Sequence, residues 1–476
     1  MPFTWVRKPE DAQTTCATRR RPTSMLVVFL TYLSMISLLF LFEGTRVKYS
    51  GADLFTCFNI LLVIQTLIPA AVVTGAIALG FELADLNRPF FQRVFDDLDS
   101  GTAMHVLLLT AMFLLVLHLS YYLMTRFLLS TKQKKSKVSW VVSMDMWLAI
   151  VAIGLFSNFV LLQLLGGGVD GYISLIQLRA GSDTIVRSFL TANLYSLTQA
   201  FSIISVVGIV YFLRKKSTVG LLFAIVLMLF FALMTVSRRA IFIDVLLVYF
   251  VLVIESGNFY VWKRLVPITM VALPVVMFGK QFLASIAFNS DVDVSEVGVG
   301  EIVRAFMDIG ITNVESWATL MYMHEPFRFG VDHLLSVARR VPDGLLSMNI
   351  QFPERIVRHS TEVFSGPGEA DIPPGLFGQM WLDWGYFGPV IWGVLFGMQL
   401  GILQHIFGSI IKSWGVTTAF VILLFVIALP LNSGSFDFTF SIDIFVLIFF
   451  LALIVRVSPA RSAEPRSQVA SVDNRL

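Results

Sequence analysis

The chain has 476 residues, of which 56% are hydrophobic and 14% are charged. Soluble domains carry roughly 25% charged residues, so this composition excludes a protein that faces water on all sides. The formal net charge of +3 and the two cysteines, Cys16 and Cys57, give no indication of a nucleic-acid partner, a disulfide framework or a thiolate zinc site.

Apolar stretches recur along the chain, and most approach the roughly 20 residues that a helix needs to cross a hydrocarbon core. They predict an all-α polytopic membrane protein with about eleven transmembrane helices, or twelve if a half-span is hidden near 43–80. The candidate spans are 25–42, 56–80, 104–124, 141–165, 189–213, 218–236, 240–255, 265–286, 386–408, 416–431 and 439–455. The predicted organisation is a polar segment at 1–23, helices one to eight at 24–286, a large external loop at 287–385, helices nine to eleven at 386–456 and a cytoplasmic tail at 457–476.

Basic loops predict the orientation of these spans. The segments 132–137, 214–216 and 263–264 and the tail from Arg456 carry Lys and Arg on alternate span boundaries. They therefore share one side, which the positive-inside rule makes cytoplasmic. This count places the N-terminus outside, whereas the basic run at 19–21 favours the inside, so the N-terminal topology stays open.

The loop at 287–385 is far longer than an ordinary connection. Its apolar periodicity at 301–323 and 332–346 predicts short helices that lie over the external membrane face. The loop is also rich in arginine, although the positive-inside bias disfavours arginine clusters on the outer side. This favours a functional role for the cluster over simple pairing with the loop's own Asp and Glu. Its basic residues include Arg304, Arg328, Arg339, Arg340, Arg355, Arg358, His324, His333 and His359.

Two adjacent arginines, Arg238 and Arg239, stand between two spans with almost no loop. Near the membrane interface their stems can simply snorkel to water. The functional alternative is an anionic ligand, because guanidinium groups make paired hydrogen bonds to phosphate oxygens and stay charged. A lipid-linked diphosphate would lie at this depth.

Glycines at 166–168 and Gly171 are predicted to break the fourth span. The segment 172–180 is then expected to re-enter as a short interfacial helix that carries Arg179. A second segment rich in glycine and proline, at 366–389, runs into the ninth span and holds Glu369 and Asp383. Such backbone beside a membrane is tolerated where it packs in protein or lines a cavity, although a tight turn with a helix cap would also explain it.

Few ionisable side chains lie inside the predicted spans. Asp244 and His118 are the two that sit well inside, and a proton-coupled transporter usually carries more such groups along its pathway. No HExxH motif or comparable cluster indicates a metal, and no glycine-rich phosphate loop follows a strand. These observations weigh against a transporter and against a metalloenzyme.

Four motifs in order resemble a known family. They are the Arg179 segment, the hairpin Ser237-Arg238-Arg239, the stretch from Phe329-Gly330 to Arg340-Val341-Pro342, and the run from Pro373 through Gly378-Gln379 to Asp383-Trp384-Gly385-Tyr386-Phe387-Gly388. Over roughly residues 140–410 the chain is similar to the bacterial O-antigen or oligosaccharide repeat-unit polymerases of the Wzy-dependent pathway. It departs from that family at Gln379, where glutamate is frequent.

The resemblance implies a GT-C-type glycosyltransferase without metal or other cofactor, in the bacterial inner membrane with a periplasmic active face. Donor and acceptor would be oligosaccharides on undecaprenyl diphosphate, and a chain-length regulator protein is an implied partner besides the lipid bilayer. An O-antigen ligase and a transporter or flippase of lipid-linked glycans are the alternatives.

Transfer from a lipid diphosphate needs a base and positive charge for the leaving group. Among the base candidates His359 ranks first, because the arginine-rich run at 355–359 favours a neutral imidazole that can accept a proton. The other base candidates are Glu369 and Asp383. The predicted diphosphate- or substrate-binding residues are Arg179, Arg238, Arg239, Arg339, Arg340, Arg355, Arg358 and Gln379.

Overall fold

The computed structural model describes residues 22–80, 89–129, 138–179, 189–236, 238–256, 311–323, 327–332, 356–365, 374–411, 421 and 442–459. The helices before the long loop are α1 (Pro22–Ser50), α2 (Leu54–Leu62), a π-helical turn (Val63–Leu67), α3 (Ile68–Ala78), α4 (Pro89–Asp97), α5 (Ser100–Leu129), α6 (Met144–Leu164), α7 (Gly168–Arg179), α8 (Phe189–Lys215), α9 (Thr218–Met234) and α10 (Arg238–Ser256). Those that follow are α11 (Ile311–Tyr322), α12 (Ile356–Ser365), α13 (Leu376–Trp384), a 3-10 turn (Gly385–Phe387), α14 (Gly388–Ile411) and α15 (Ile442–Ile454).

Six helical runs in the described part of the chain are long and apolar enough to cross a membrane: Thr23–Ser50, Leu54–Ala78, Ser100–Leu128, Met144–Leu164, Asn193–Lys215 and Leu376–His405. Shorter apolar helices occupy Thr218–Met234 and Ile243–Ile254. The helical character predicted from the sequence is confirmed, and the described helices that could span a membrane are fewer than the predicted eleven. The predicted span at 265–286 and nearly all of that at 416–431 lie outside the described residues.

The outer faces of the long helices carry large apolar side chains that nothing in the described chain covers. Leu115 of α5 is 73% exposed and Leu41 of α1 is 68% exposed. Contiguous apolar surface of this kind associates or aggregates in water. In a bilayer it contacts lipid, which agrees with the low charge of the chain.

Helices α5 and α14 run parallel and approach closely because glycines of α14 face α5. A Cβ atom added at Gly397 would lie 2.6 Å from the carbonyl oxygen of Leu117, and one at Gly401 would lie 2.9 Å from the Cβ of Met124. Gly393 continues this stripe one turn earlier and meets α5 in the same way. Small residues at such spacing let helix backbones pack closely in membranes.

The all-α prediction missed a pair of short strands. Strand β1 (Val138–Val142) precedes α6, strand β2 (Val455–Pro459) follows α15, and the two pair antiparallel with Val142 opposite Val455. The pairing brings the start of α6 and the end of α15 to the same end of the helix bundle. The prediction that the boundary before the fourth span and the C-terminal tail share one side of the membrane is consistent with this contact.

Four short helices, α4, α11, α12 and α13, pack together as a layer of short helices, in which α11 contacts each of the other three. The Tyr322 hydroxyl donates a 2.8 Å hydrogen bond to Asp97 Oδ2, and an Arg93 guanidinium nitrogen donates a 3.2 Å bond to the carbonyl oxygen of Phe364. Burial and the hydrogen bond to Asp97 raise the pKa of Tyr322, so its hydroxyl remains a donor. These bonds join α4 to α11 and α12.

The sequence predicted that the helices of the long loop lie over the external membrane face. One of them is instead buried within the protein. Helix α11 is enclosed between the π-helical turn, α5 and α13, and its Trp317 and Thr319 are fully buried. The Ser316 hydroxyl accepts a 3.1 Å hydrogen bond from the Gly378 amide, and the Thr319 hydroxyl donates a 2.8 Å bond to a carbonyl of the chain before α13. These two bonds satisfy the hydroxyl groups of Ser316 and Thr319 inside the protein, as buried polar groups generally require.

Candidate functional site

The turn between α9 and α10 has an unusual backbone conformation. Val236 has a φ of +49°, in the left-handed region that a β-branched residue rarely adopts. Such strain costs on the order of 1–3 kcal/mol, persists only where the surroundings hold it, and is frequent at functional sites. The turn directly precedes Arg238 and Arg239, the pair that the sequence indicated as an anion-binding site.

Two tyrosines from neighbouring helices hold this turn. The Tyr195 hydroxyl of α8 donates a 2.5 Å hydrogen bond to the carbonyl oxygen of Thr235. The Tyr172 hydroxyl of α7 donates a 3.2 Å bond to the carbonyl oxygen of Leu233. Burial raises the pKa of Tyr172, so this hydroxyl also remains a donor. The last carbonyls of α9 thus find partners on α7 and α8.

The position of α7 follows from the glycines after α6. Gly166, Gly167 and Gly168 have φ values of +123°, +80° and +48°, which glycine adopts readily because it has no Cβ. They reverse the chain direction, and α7 then packs closely against the end of α6. A Cβ atom added at Gly171 would lie 2.4 Å from the carbonyl oxygen of Leu162. The short helix predicted after these glycines is therefore present.

An apolar cluster fixes α7 against the α9–α10 turn. Leu161, Leu175 and Met234 pack together with negligible exposure. Arg179 is the last residue of α7, four positions after Leu175, and so lies on the same side of that helix. Helix α10 begins at Arg238, four positions after Met234. The cluster therefore joins α7 to the end of α9, and Arg179 and Arg238 each follow one of its members by four positions in the chain.

The charges at this site suit an anion. The N-terminal end of a helix carries a partial positive charge and unpaired backbone N–H groups. Two arginines at the start of α10 are unfavourable there by about 0.3–1 kcal/mol each unless a negative charge balances them. A phosphate group at that end would accept hydrogen bonds from both the backbone and the guanidinium groups.

Gln379 and Asp383 lie in the layer of short helices. Asp383 is fully buried. Its carboxylate accepts a 2.9 Å hydrogen bond from Gln379 Nε2 and a 3.2 Å bond from Trp392 Nε1, and its carbonyl oxygen accepts from the Phe329 amide at 2.9 Å. This arrangement joins α13 to α14 and matches the alternative of a structural turn; the base role of Asp383 stays a prediction.

His359 is half-buried on α12, which packs against α4 and α11. Arg358 precedes it in the same helix. The other predicted residues of this region, Arg339, Arg340, Arg355 and Glu369, lie outside the described residues. The structure thus places Arg179 at the end of α7 and Arg238 and Arg239 at the start of α10, and it places His359 on α12 and Gln379 and Asp383 on α13.

Buried polar contacts extend inward from the turn along α8. The Thr198 hydroxyl donates a 3.0 Å bond to Asn158 Oδ1, and the Ser202 hydroxyl donates to Asp244 Oδ2. Asp244 is fully buried, as expected for a carboxylate in the interior of the helix bundle. Within the described residues, no three His, Cys, Asp or Glu side chains converge as metal ligands would.

Sequence reasoning missed the most highly charged buried cluster in the described chain, around Glu43, Arg46 and Asp53. The predicted first span ended at residue 42, so these residues were assigned to a loop, whereas α1 continues to Ser50. The spacing of Glu43 and Arg46, three positions apart, is the signal that could have extended the helix, because oppositely charged residues at this spacing pair on one face.

No family model, no curated protein and no solved structure matches this chain.

Proposed function

We propose that the protein is a membrane glycosyltransferase of the GT-C type, which polymerises undecaprenyl-diphosphate-linked oligosaccharide repeat units at the periplasmic face of the bacterial inner membrane. A chain-length regulator protein is a proposed partner. The observation that supports the proposal is the strained turn at Val236, which is held by hydrogen bonds from Tyr172 of α7 and Tyr195 of α8 and directly precedes Arg238 and Arg239.

The proposed reaction joins a hydroxyl of the acceptor repeat unit to the anomeric carbon of the donor glycan. The bond between that carbon and the diphosphate oxygen breaks, and undecaprenyl diphosphate leaves with the bonding electrons. The proton of the acceptor hydroxyl passes to a base, for which His359 is the first candidate and Glu369 and Asp383 are the others. General-base assistance of this kind typically contributes about 10²–10⁴-fold in rate.

Arginine is suited to the leaving group, because it forms paired hydrogen bonds to phosphate oxygens and cannot lose its proton. Positive charge fixed where the diphosphate develops its charge lowers the barrier without reorganisation. In this proposal Arg179, Arg238 and Arg239 bind the diphosphate. Arg339, Arg340, Arg355, Arg358 and Gln379 are proposed for the rest of the substrate.

The test uses purified protein in lipid nanodiscs with synthetic lipid-linked repeat units, and it measures product length. Arg238→Ala and Arg239→Ala should each lower the polymerisation rate by about tenfold to a hundredfold, the loss expected for a hydrogen bond to a charged group of ~1.5–3 kcal/mol. Arg239→Lys should fail as well, because it keeps the charge but loses the paired geometry. Lys215→Ala, at the far end of α8, is the matched control.

A variant with alanine at both Arg238 and Arg239 tests the alternative. If it polymerised at the wild-type rate, these arginines would serve only to reach water from the membrane interface. A deletion strain separates the alternatives. A single repeat unit on lipid A-core indicates a missing polymerase, and unattached polymer indicates a missing ligase. Lipid-linked units retained on the cytoplasmic side indicate a missing flippase.

A further inference from the structure

A second polar site lies at the opposite end of the bundle from the α9–α10 turn. It is built from the last turns of α1, the start of α2 and the last turns of α5. Glu43 and Asn59 are 3% and 1% exposed, so the site lies inside the protein. Charged groups inside a membrane protein are costly and usually functional, and nothing in the proposed reaction uses this one.

Arg46 is the centre of the network. Its Nε donates a 2.9 Å hydrogen bond to Glu43 Oε2. Its two terminal nitrogens donate to Asp53 Oδ2 at 2.8 Å and Oδ1 at 2.7 Å, which is the paired geometry of a strong guanidinium–carboxylate contact. One guanidinium therefore serves two carboxylates.

The two carboxylates are not equally stabilised. Asp53 also accepts hydrogen bonds from the Tyr121 hydroxyl at 2.8 Å and from the Thr56 amide at 3.0 Å. Glu43 shares Arg46 with Asp53 and otherwise receives the Asn59 side-chain amide. Glu43 is thus the less compensated of the two anions.

His118 does not supply the missing positive charge in this arrangement. Its Nδ1 lies 2.7 Å from the carbonyl oxygen of Leu114, so Nδ1 must carry a hydrogen. Its Nε2 lies 3.2 Å from Asn59 Nδ2, which is a donor, so Nε2 must accept. These roles, assigned from the hydrogen-bond partners, make the imidazole neutral. With both carboxylates ionised, the network carries one net negative charge.

Asn59 offers an acceptor that is not in use. Its Oδ1 is buried and has no hydrogen-bond partner among the described residues, while its Nδ2 donates to Glu43 and His118. An unpaired buried acceptor costs roughly 1–3 kcal/mol. A protonated carboxyl group on Glu43 would need an acceptor of this kind. Rotation of the amide would present Oδ1 to Glu43 and would at the same time remove the Nδ2 donor from His118 Nε2.

We propose that this network is an intramembrane proton-binding site in which Glu43 takes up one proton and Asn59 Oδ1 receives it as a hydrogen bond. The proton makes the network neutral, which a low-dielectric site favours over an unpaired buried charge. The titratable or charged groups that face Glu43 are Arg46 from α1, Asp53 from the turn, Cys57 from α2, and His118 and Tyr121 from α5. The site needs no glycan substrate, so its test is independent of the proposed reaction.

The experiment is infrared difference spectroscopy of the full-length protein in nanodiscs, titrated over roughly pH 5 to 8. The expected result is a carbonyl stretch of a protonated carboxylic acid that grows as the pH falls and is lost in Glu43→Gln. The matched control is Asp244→Asn, which removes a fully buried carboxylate of α10 and should leave this band in place.

Two further variants keep Glu43 and test the same assignment if Glu43→Gln does not fold. Asn59→Ala removes the proposed acceptor and should shift the band to higher frequency. His118→Phe should retain the band. A pH-dependent band that persists in Glu43→Gln, one that disappears in Asp244→Asn or His118→Phe, or one that is unmoved by Asn59→Ala overturns the proposal. Stabilisation by sodium ions with no such band also overturns it, because the ligand would then be a metal cation.

Discussion

The hydroxyl of Tyr195 donates a 2.5 Å hydrogen bond to the carbonyl oxygen of Thr235, at the end of α9. It fixes the turn in which Val236 has its left-handed conformation, so Tyr195→Phe should release the turn and leave a buried carbonyl unpaired, at a cost of about 1–3 kcal/mol. We expect a lower melting temperature and shorter polymer. Tyr122→Phe, at a position 58% exposed on α5, is the control. Equal melting temperatures and product lengths for the two variants would show that the bond does not hold the site.

Gly171 sets the distance between α7 and α6. A methyl group at this position would meet the backbone carbonyl of Leu162, and overpacking against backbone typically costs about 1–3 kcal/mol. Gly171→Ala should therefore displace α7, lower the melting temperature and reduce polymerisation. Gly44→Ala on α1 meets nothing within 4 Å and should be neutral or stabilising by about 0.5–1 kcal/mol. If both variants behave alike, α7 tolerates displacement.

His359→Gln tests the proposed base. Glutamine keeps a hydrogen-bond acceptor but cannot take up the proton from the acceptor hydroxyl, so we expect polymerisation to fall by at least about a hundredfold. Binding of the lipid-linked donor should remain, as measured by protection of the protein against thermal unfolding. Glu362→Gln, on the same short helix, should keep activity. Full-length polymer from His359→Gln would turn attention to Glu369.

Cysteine labelling tests the orientation. Asp96 on α4 and Lys215 at the end of α8 are both exposed, and the alternation of basic loops assigns them to opposite sides. In a Cys16→Ser background, an impermeant maleimide added to intact spheroplasts should label Asp96→Cys and not Lys215→Cys. Lysis should make the second site reactive. The reverse pattern would invert the orientation and place the proposed active face in the cytoplasm.

Asp53, between α1 and α2, should make stability depend on pH. Burial opposes its ionisation, but the hydrogen bonds and charge of Arg46 outweigh that effect and lower the pKa of Asp53 below its usual value. A depressed folded-state pKa contributes stability that is present above the unfolded pKa of about 3.9 and is lost as the pH falls through the folded value. Asp53→Asn should thus destabilise the protein at neutral pH, and thermal unfolding should show the difference from wild type vanishing in strong acid. A constant difference would mean that the ionised carboxylate is not what stabilises the turn.

The sequence could predict those segments whose structure depends on residues nearby in the chain. The long apolar runs predicted the helices α5, α6 and α8, and the consecutive glycines at 166–168 predicted the reversal before α7. Burial of α11 was not predictable in this way, because it depends on partners such as Gly378 that are distant in sequence. The charged network at the end of α1 was missed because a group of ionisable residues after an apolar run usually indicates the end of a span. Only the structure shows that Arg46 pairs with Asp53.

The proposed diphosphate site could likewise be predicted only in part. Arg238, Arg239 and Arg179 could be selected from their positions between spans, because charge near a membrane interface is visible in the sequence. The strained backbone of Val236 and the tyrosines that hold it were not visible, since valine and tyrosine are ordinary residues in apolar helices. Their role appears only when α7 and α8 are placed against the turn.

The pairing of Val142 with Val455 has a consequence for how the protein is made. Translation delivers roughly 5–20 residues per second, so the strand before α6 leaves the ribosome long before its partner. The backbone N–H and C=O groups of β1 therefore cannot pair with β2 until α15 has been synthesised and inserted. A chain that stops short of residue 455 contains all the helices of both proposed sites but presents an open strand edge beside α6, and such edges recruit foreign strands. A chain that lacks β2 is therefore expected to aggregate more readily than one in which the strand pair has formed.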